Sequence, residues 1–363
     1  MYSLHIDTSR DWRGAQRQVL DTVLALREAG HRAALVCDPA GSLMRRLREG
    51  LDLVPLTTRG DVDLSASWAL SRVLKSSLPD VIHAHDSRAV ALAATALAMV
   101  TPTPRPALIA SRRSELRVDR TSFSRWKYSQ VDWFIATSET VRERLLGVGI
   151  APGRVTVVTP GIDVARIAAT PPAHIHAELF LPTHAPIVGN VAALVPHKGH
   201  HHLIASAARV VKAVPDVRFV IVGEGELRES LERQIHHEHL ERHVFLAGFR
   251  DDVVEQTGGF DIYASSALME GASMAILDAM AAGKPVVASA AGSVPELVAD
   301  GLTGYVVALR DEAAMAERLI ALLRDERLRR GMGAAGRARA EARFSVERMA
   351  REIAVVYERT RPQ

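Results

Sequence analysis

Two acids, Glu270 and Asp278, stand eight positions apart in the stretch MEGASMAILD. The run SMAILDAMAA is apolar around most of its circumference, which predicts a buried helix. Gly283 follows as a terminating residue, and Pro285 prevents continuation. Gly271, Ala272 and Ser273 put almost no side chain at the start of that helix, so a ligand can come close to its free backbone N–H groups. Those groups and the helix dipole favour an anion such as phosphate. The dipole contributes only ~0.3–1 kcal/mol per charge, so further donors are required. Glu270, just outside, is placed to accept hydrogen bonds from sugar hydroxyls, and Asp278, two turns on, from a second hydroxyl pair. A buried acid on an apolar helix is costly without partners. The alternative for Asp278 is a structural carboxylate that caps neighbouring backbone N–H groups.

The elements that must position these acids alternate between strand-length apolar runs and longer helical patterns. Seven such runs precede residue 165, from YSLHID to RVTVVTP, and six follow, from PIVGNVAA to TGYVVA. This βαβα rhythm predicts an α/β fold with parallel sheets covered on both faces. At 363 residues the chain exceeds one typical core, so two doubly wound, Rossmann-like domains facing a central cleft are expected. The expected boundaries are 1–165, a proline-rich linker at 166–186, a second domain at 187–340, and a C-terminal helix over 341–363 packing back toward the first domain. Hydrophobic residues make up 48% and charged residues 24%, as in soluble globular proteins. No apolar run reaches transmembrane length, and the first residues lack the pattern of a signal peptide. The single cysteine, Cys37, fits a reducing compartment, so a cytoplasmic location is expected, with peripheral contact at the inner membrane face. The net charge of +3 is uneven: residues 1–165 hold 22 Lys+Arg against 17 Asp+Glu, and the remainder 23 against 25. A basic first half suits an anionic acceptor or membrane surface, or is simply a solvated face.

The segment EGASMAILDAMAAGKPVVASAAGSVPELVADGLTGYVV resembles the signature of retaining glycosyltransferase family four, the glycosyl transferases group 1 of the GT-B fold. The likeness extends to GNVAALVPHKGHHHLIASAARVV, RFVIVGEGELRESL, FLAGFRDDV and DIYASS, and in the first half to WRGAQRQVLDTVLALREAGH, DVIHAHDSRA and RVTVVTPGID. The elements occur in the family's order over nearly the whole chain. The resemblance implies a donor nucleotide-diphosphate sugar, with UDP-sugars favoured and GDP-mannose next. It places Glu270 on the donor sugar, Asp278 on the ribose, the amides of Ala272, Ser273 and Met274 on the diphosphate, and Gly271 within the same donor-binding loop. Lys198 would neutralise that diphosphate. Gly14 would let a loop of the first domain pass close to it, His85 would face the sugar from the other side of the cleft, and Phe249 and Arg250 would lie near the base. The catalytic set implied is Glu270, His85 and Lys198. Two positions depart from the pattern. The second acid is usually glutamate, and Asp278 is shorter by roughly 1.5 Å. An arginine often found five residues before the lysine is here Ala193, removing a phosphate contact of typically ~1.5–3 kcal/mol.

The implied chemistry breaks an anomeric C–O bond through an oxocarbenium-like state. Lys198 and the helix amides would stabilise the charge growing on the diphosphate, so neither a metal nor another cofactor is called for. Asp251 and Asp252 are read as opening a helix rather than as a metal-binding pair. The histidine runs HKGHHH and HHEH invite a zinc reading but lack a ligand pattern that demands it. GEGELR follows a strand but lacks the third glycine of a dinucleotide fingerprint. Residues 105–127 contain seven basic and two acidic residues with interleaved aromatics. Within them, Arg112 and Arg113 follow a strand and suit phosphate or carboxylate recognition in an acceptor. The expected partners are a nucleotide-sugar, a glycan or lipid-linked anionic acceptor of lipopolysaccharide type, and an anionic membrane surface; no nucleic-acid motif accompanies the arginines. A sugar-nucleotide epimerase or hydrolase on the same fold, and a nucleotide-sugar-binding protein with weak or lost turnover, stand as the alternatives.

Overall fold

The computed structural model describes residues 1–46, 50–60, 62–100, 102–113 and 122–361. The chain divides into two compact units, one of Met1–Gly161 with Val346–Gln363 and one of Ile162–Ser345. The first unit contains strands β1 (Tyr2–Ile6), β2 (Arg32–Cys37), β3 (Asp52–Pro55), β4 (Val81–Ala84), β5 (Ala107–Arg112), β6 (Trp133–Ala136) and β7 (Val155–Val157). They form one sheet in the order β3-β2-β1-β4-β5-β6-β7, parallel throughout. The second unit contains β8 (Ile187–Val191), β9 (Arg218–Val222), β10 (Val244–Gly248), β11 (Ile262–Ser265), β12 (Val286–Ser289) and β13 (Gly304–Val307). Its parallel order is β10-β9-β8-β11-β12-β13. All thirteen apolar runs singled out from the sequence correspond to strands.

The strands read as continuous apolar runs because helices cover both faces of each sheet. Along β9, Phe219 and Ile221 point into one cluster and Val220 and Val222 into the other, the alternation a pleated strand imposes. In the first unit, Leu4, Ile6, Leu70 and Leu108 pack on one face. On the other, Leu26, Val81 and Ile109 meet Met349, Ile353 and Val356 of the C-terminal helix Val346–Thr360.

The boundaries differ from those expected. Residues 166–186 are not a linker. They contain the helices Val164–Ala169 and Ile175–Glu178, and Ile167, Ile175 and Leu181 are buried in the core of the second unit. The prolines terminate and redirect short helices there rather than separating domains. The second unit also runs past 340: Phe344 is buried in its core, and the returning helix begins at Val346 rather than 341. Among the described residues no helix is long and apolar enough to cross a membrane.

Candidate functional site

In the second sheet β8 and β11 are neighbours although β9 and β10 separate them in sequence. Where strand order reverses in this way, a crevice opens beyond the C-terminal ends of the strands. The loop after β8 carries Lys198 in a short turn, Pro196–Lys198, before the helix His200–Ala213. The loop after β11 carries Glu270. The two loops are tied together: the Leu268 amide donates to the His197 carbonyl at 2.9 Å, and the Ser266 hydroxyl to the Gly199 carbonyl at 2.8 Å. Lys198 Nζ and Glu270 Oε2 meet at 2.7 Å, with side chains only 22% and 11% exposed. The structure thus brings together two groups that sequence reasoning singled out 72 residues apart.

The helix Met274–Ala281 starts beside this pair. Its N-cap, Ser273, makes no side-chain capping bond, so the first-turn amides have no side-chain acceptor from that residue. The preceding loop is fixed from the 290–293 turn. Ser293 donates its hydroxyl to the Gly271 carbonyl, and Gly292 adopts φ +52 with its Cα so close that an added Cβ would lie 1.9 Å from the Glu270 carbonyl oxygen. Only glycine permits both. Asp278 is buried on the same helix. Tyr263, in the neighbouring β11, donates its hydroxyl to the Val191 carbonyl at 3.3 Å. Burial raises its pKa, and the charges of Glu270 and Asp278 push the same way, so one phenol senses both acids. Sequence reasoning missed Tyr263, whose position in DIYASS looks like ordinary core.

The glycines of GEGELR have a packing role. A Cβ on Gly223 would lie 1.9 Å from the Ala192 carbonyl oxygen, and one on Gly225 2.4 Å from that of Leu194. They let β9 press against the loop that contains Ala193 and leads to Lys198. Phe249 is 59% exposed after β10. Arg250 does not project freely toward a base: its guanidinium donates to Asp252 at 2.7 and 2.6 Å and lies 3.1 Å from Glu178. Asp252 sits at the N-cap position expected of it, but its carboxylate makes no capping bond and holds Arg250, which brings its pKa down to about 2.

The first unit has its own polar centre at the C-terminal ends of the paired strands β1 and β4. His5 and His83 are register partners on adjacent strands, and His85 follows two residues on. His85 Nε2 lies 2.9 Å from His5 Nδ1, and His5 Nε2 3.1 Å from the Ser3 hydroxyl. His83 contacts the Tyr357 hydroxyl at 2.6 Å and the Ser111 hydroxyl at 2.7 Å. Arg113 donates Nε to Gln18 at 2.7 Å and one Nη to the His85 carbonyl at 2.8 Å, while the other Nη faces His85 Nδ1 at 3.0 Å. Guanidinium has no acceptor, so His85 Nδ1 must accept. Its proton therefore sits on Nε2 and is donated to His5 Nδ1, and His5 in turn donates Nε2–H to Ser3. Burial lowers the pKa of all three imidazoles, that of His5 to about 3, so each is neutral.

Two expectations change here. Arg113 is not free to meet an acceptor, because its guanidinium is committed to Gln18 and His85 inside the unit; burial lowers its pKa to about 10 against the pull of Asp7 and Asp86. His85 is buried at the end of β4 with both ring nitrogens hydrogen-bonded within the first unit, which leaves neither for a sugar hydroxyl in this arrangement. Arg112 is half-buried beside Tyr128. Within the basic stretch 105–127, residues 114–121 lie outside the described residues. Gly14 opens the helix Gly14–Glu28 at an exposed position, with no side-chain cap from Arg13. Of the histidines in HKGHHH, His200 contacts Asn190 and His202 contacts Glu312; in HHEH, His236 contacts Glu241. Among the described residues the only converging trio of metal-capable side chains is His5, His83 and His85, whose six ring nitrogens all have the partners given above.

Residues 173–339 match the profile of the glycosyl transferases group 1, and residues 12–166 that of glycosyltransferase family 4. A GDP-mannose-dependent monoacylated alpha-(1-6)-phosphatidylinositol monomannoside mannosyltransferase of Corynebacterium glutamicum is 34% identical over 204 residues, 53% of each chain. The GDP-mannose-dependent alpha-(1-6)-phosphatidylinositol monomannoside mannosyltransferase of Mycolicibacterium smegmatis is 31% identical over 283 residues, 72% of this chain and 74% of that one. The alignment thus spans about half the length of the first relative and three quarters of the second. Among solved structures, Anabaena HepE in complex with UDP-glucose superposes with a TM-score of 0.86 at 24% identity, covering 99% of this chain and 100% of that one.

Proposed function

Because the chain belongs to the group 1, family 4 glycosyltransferases, a GT-B family, we propose that it moves a hexose from a nucleoside-diphosphate sugar to an acceptor hydroxyl with retention of configuration. The observation that carries this reading is the Lys198–Glu270 pair at the reversal point of the second sheet, beside the uncapped start of the helix Met274–Ala281. A lysine and free amides recognise a diphosphate. A carboxylate at 2.7 Å from that lysine is placed to bind the hydroxyls of the attached sugar.

In the proposed reaction the donor C1–O bond breaks and the electron pair leaves with the diphosphate. Lys198 and the amides of Ala272, Ser273 and Met274 stabilise that growing charge. The acceptor oxygen bonds to C1 on the same face, and its proton passes to the departing phosphate oxygen. Glu270 orients the sugar, Asp278 the ribose, and the segment Phe249–Arg250 the base. His85 is assigned to ordering the strand ends of the first unit rather than to direct contact. The cationic lysine and amides fill the place a divalent ion would otherwise take, so activity is expected to survive chelation.

Both relatives named above use GDP-mannose, so GDP-mannose is set beside UDP-sugars as a donor. Both act on phosphatidylinositol derivatives, which supports an acceptor bearing phosphate or carboxylate, of glycolipid or envelope-glycan type. Peripheral contact with an anionic bilayer belongs to the same reading. It is supported by exposed Val62, Leu64 and Trp68, with the Arg72 guanidinium 5.2 Å from the Trp68 ring centre. Equal binding to anionic and neutral vesicles would count against it.

A second reading, nucleotide-sugar binding with weak turnover, is favoured by Ala193 and Asp278. A panel of UDP- and GDP-sugars with and without phosphorylated acceptors separates the cases. Acceptor-dependent release of nucleotide supports transfer, conversion of donor alone supports an epimerase or hydrolase, and binding without turnover supports the second reading.

A further inference from the structure

We propose that the first unit contains an anion subsite built from Lys127, Arg112, Ser87 and Tyr128, which takes the phosphate or carboxylate of the acceptor. Lys127, on the helix Ser122–Ser129, is only 4% exposed. Its ammonium donates to the Ser87 hydroxyl at 2.8 Å and, more weakly, to the Ser87 carbonyl at 3.4 Å. The Ser87 hydroxyl is in turn 3.1 Å from the Tyr128 hydroxyl. The Arg112 guanidinium stands 5.9 Å from the Tyr128 ring centre, and its buried Nε has no hydrogen-bond partner. Lys127 thus reaches Ser87 at the start of the helix Ser87–Met99, and Arg112 stands on the ring of Tyr128, the next member of the same hydrogen-bonded chain.

No carboxylate among the described residues forms an ion pair with either cation. Asp86 acts electrostatically on Arg112, but its oxygens accept from the Thr8 amide and hydroxyl at 2.7 and 3.0 Å and the Ala89 amide at 2.8 Å. Asp7 accepts from the Ser9 amide and from Gln16. Arg113 faces both acids, and Arg112 feels the charge of Asp86. Among the described residues, three cations (Arg112, Arg113, Lys127) stand against two acids (Asp7, Asp86), an excess of one positive charge. A buried charge without a counter-charge is destabilising, and one oxyanion at Ser87 would offset it. Such a group would receive the Lys127 ammonium, the Arg112 fork and the Ser87 hydroxyl. Ser87 and Arg112 are partly exposed among the described residues.

The assignment to an acceptor rests on the transferase reading; the anion site itself does not. The test uses the full chain with the Lys198→Ala substitution, which removes the competing phosphate ligand of the second unit. Thermal melts are recorded with and without inorganic phosphate and with sn-glycerol 1-phosphate, potassium chloride serving as the ionic-strength control. Both phosphates are expected to raise the melting temperature. Adding Lys127→Met should abolish that rise and, because an uncompensated charge has gone, should raise the melting temperature without phosphate. Lys127→Arg should retain the phosphate response. Phosphate stabilisation that persists in Lys127→Met, or a Lys127→Met protein that melts lower without phosphate and regains no stability in Lys127→Arg, overturns the subsite. If phosphate binding follows Lys127 while no donor is ever consumed, the subsite stands and the transferase reading falls.

Discussion

Acidification should destabilise the first unit well before its carboxylates protonate fully. His5 is fully buried and neutral, with its pKa moved from near 6.5 to about 3 by desolvation. The unfolded chain therefore binds more protons than the folded one between those values. Stability is intact above pH 6.5 and falls as pH drops from 6.5 toward 3. The size of that move corresponds to roughly 5 kcal/mol at its limit. Asp7 works in the opposite sense: burial, aided by Asp86, raises it to about 6, so its contribution is present below its ordinary value near 3.8 and is lost as pH rises through about 6. That amounts to roughly 3 kcal/mol. His5 alone exceeds it by roughly 2 kcal/mol, and His83 and His85, lowered by burial and by Arg113, add to His5. Between pH 7 and pH 4 the His5 loss reaches roughly 3.4 kcal/mol and the Asp7 gain roughly 2.4, so the surplus of roughly 1 kcal/mol predicts a fall of at least roughly 2–4 °C in melting temperature for a domain of this size. Circular-dichroism melts across that range measure it directly. His5→Gln, which keeps an acceptor for His85 but cannot titrate, should melt lower at pH 7 and show a shallower pH slope. A wild-type melting temperature that is flat from pH 7 to pH 4, or an unchanged slope in His5→Gln, would refute the neutral, tautomer-locked histidine network.

Gly292→Ala places a methyl 1.9 Å from the Glu270 carbonyl at a positive φ; donor KM should rise and kcat fall at least tenfold while circular dichroism stays native. Tyr357→Phe removes the 2.6 Å contact to buried His83 and should cost about 1–3 kcal/mol in chemical denaturation. Ile175→Ala, within the segment whose composition suggests a linker, should cost about 2–5 kcal/mol, whereas a true linker residue would tolerate it.

The strands were legible because a parallel sheet with both faces covered imprints unbroken apolar runs such as RFVIV and VVAS. Lys198 and Glu270 were legible from their motifs, and the topology explains why they meet: both lie in loops flanking the reversal between β8 and β11. The histidine network had a readable signal that was not combined across strands. His83 and His85 share a face by period two, and His5 sits on another candidate strand, but pairing β1 with β4 is a non-local fact. The commitment of Arg113 was invisible for the same reason, since its partner Gln18 lies 95 residues away. The segment 166–186 misled because proline content reports broken helices as readily as linkers, and only Ile167, Ile175, Leu181 and Ala185 betray a buried side.

The most direct test of the donor site is calorimetric titration of GDP and UDP into the intact chain, Lys198→Ala and Glu270→Gln. One nucleotide should bind the intact chain at a single site. Loss of a charged contact of ~1.5–3 kcal/mol should weaken its binding to Lys198→Ala by roughly 10- to 150-fold. Glu270→Gln should keep that affinity while sugar transfer disappears. Equal affinity in the intact chain and Lys198→Ala would show that the diphosphate does not sit where the helix Met274–Ala281 begins.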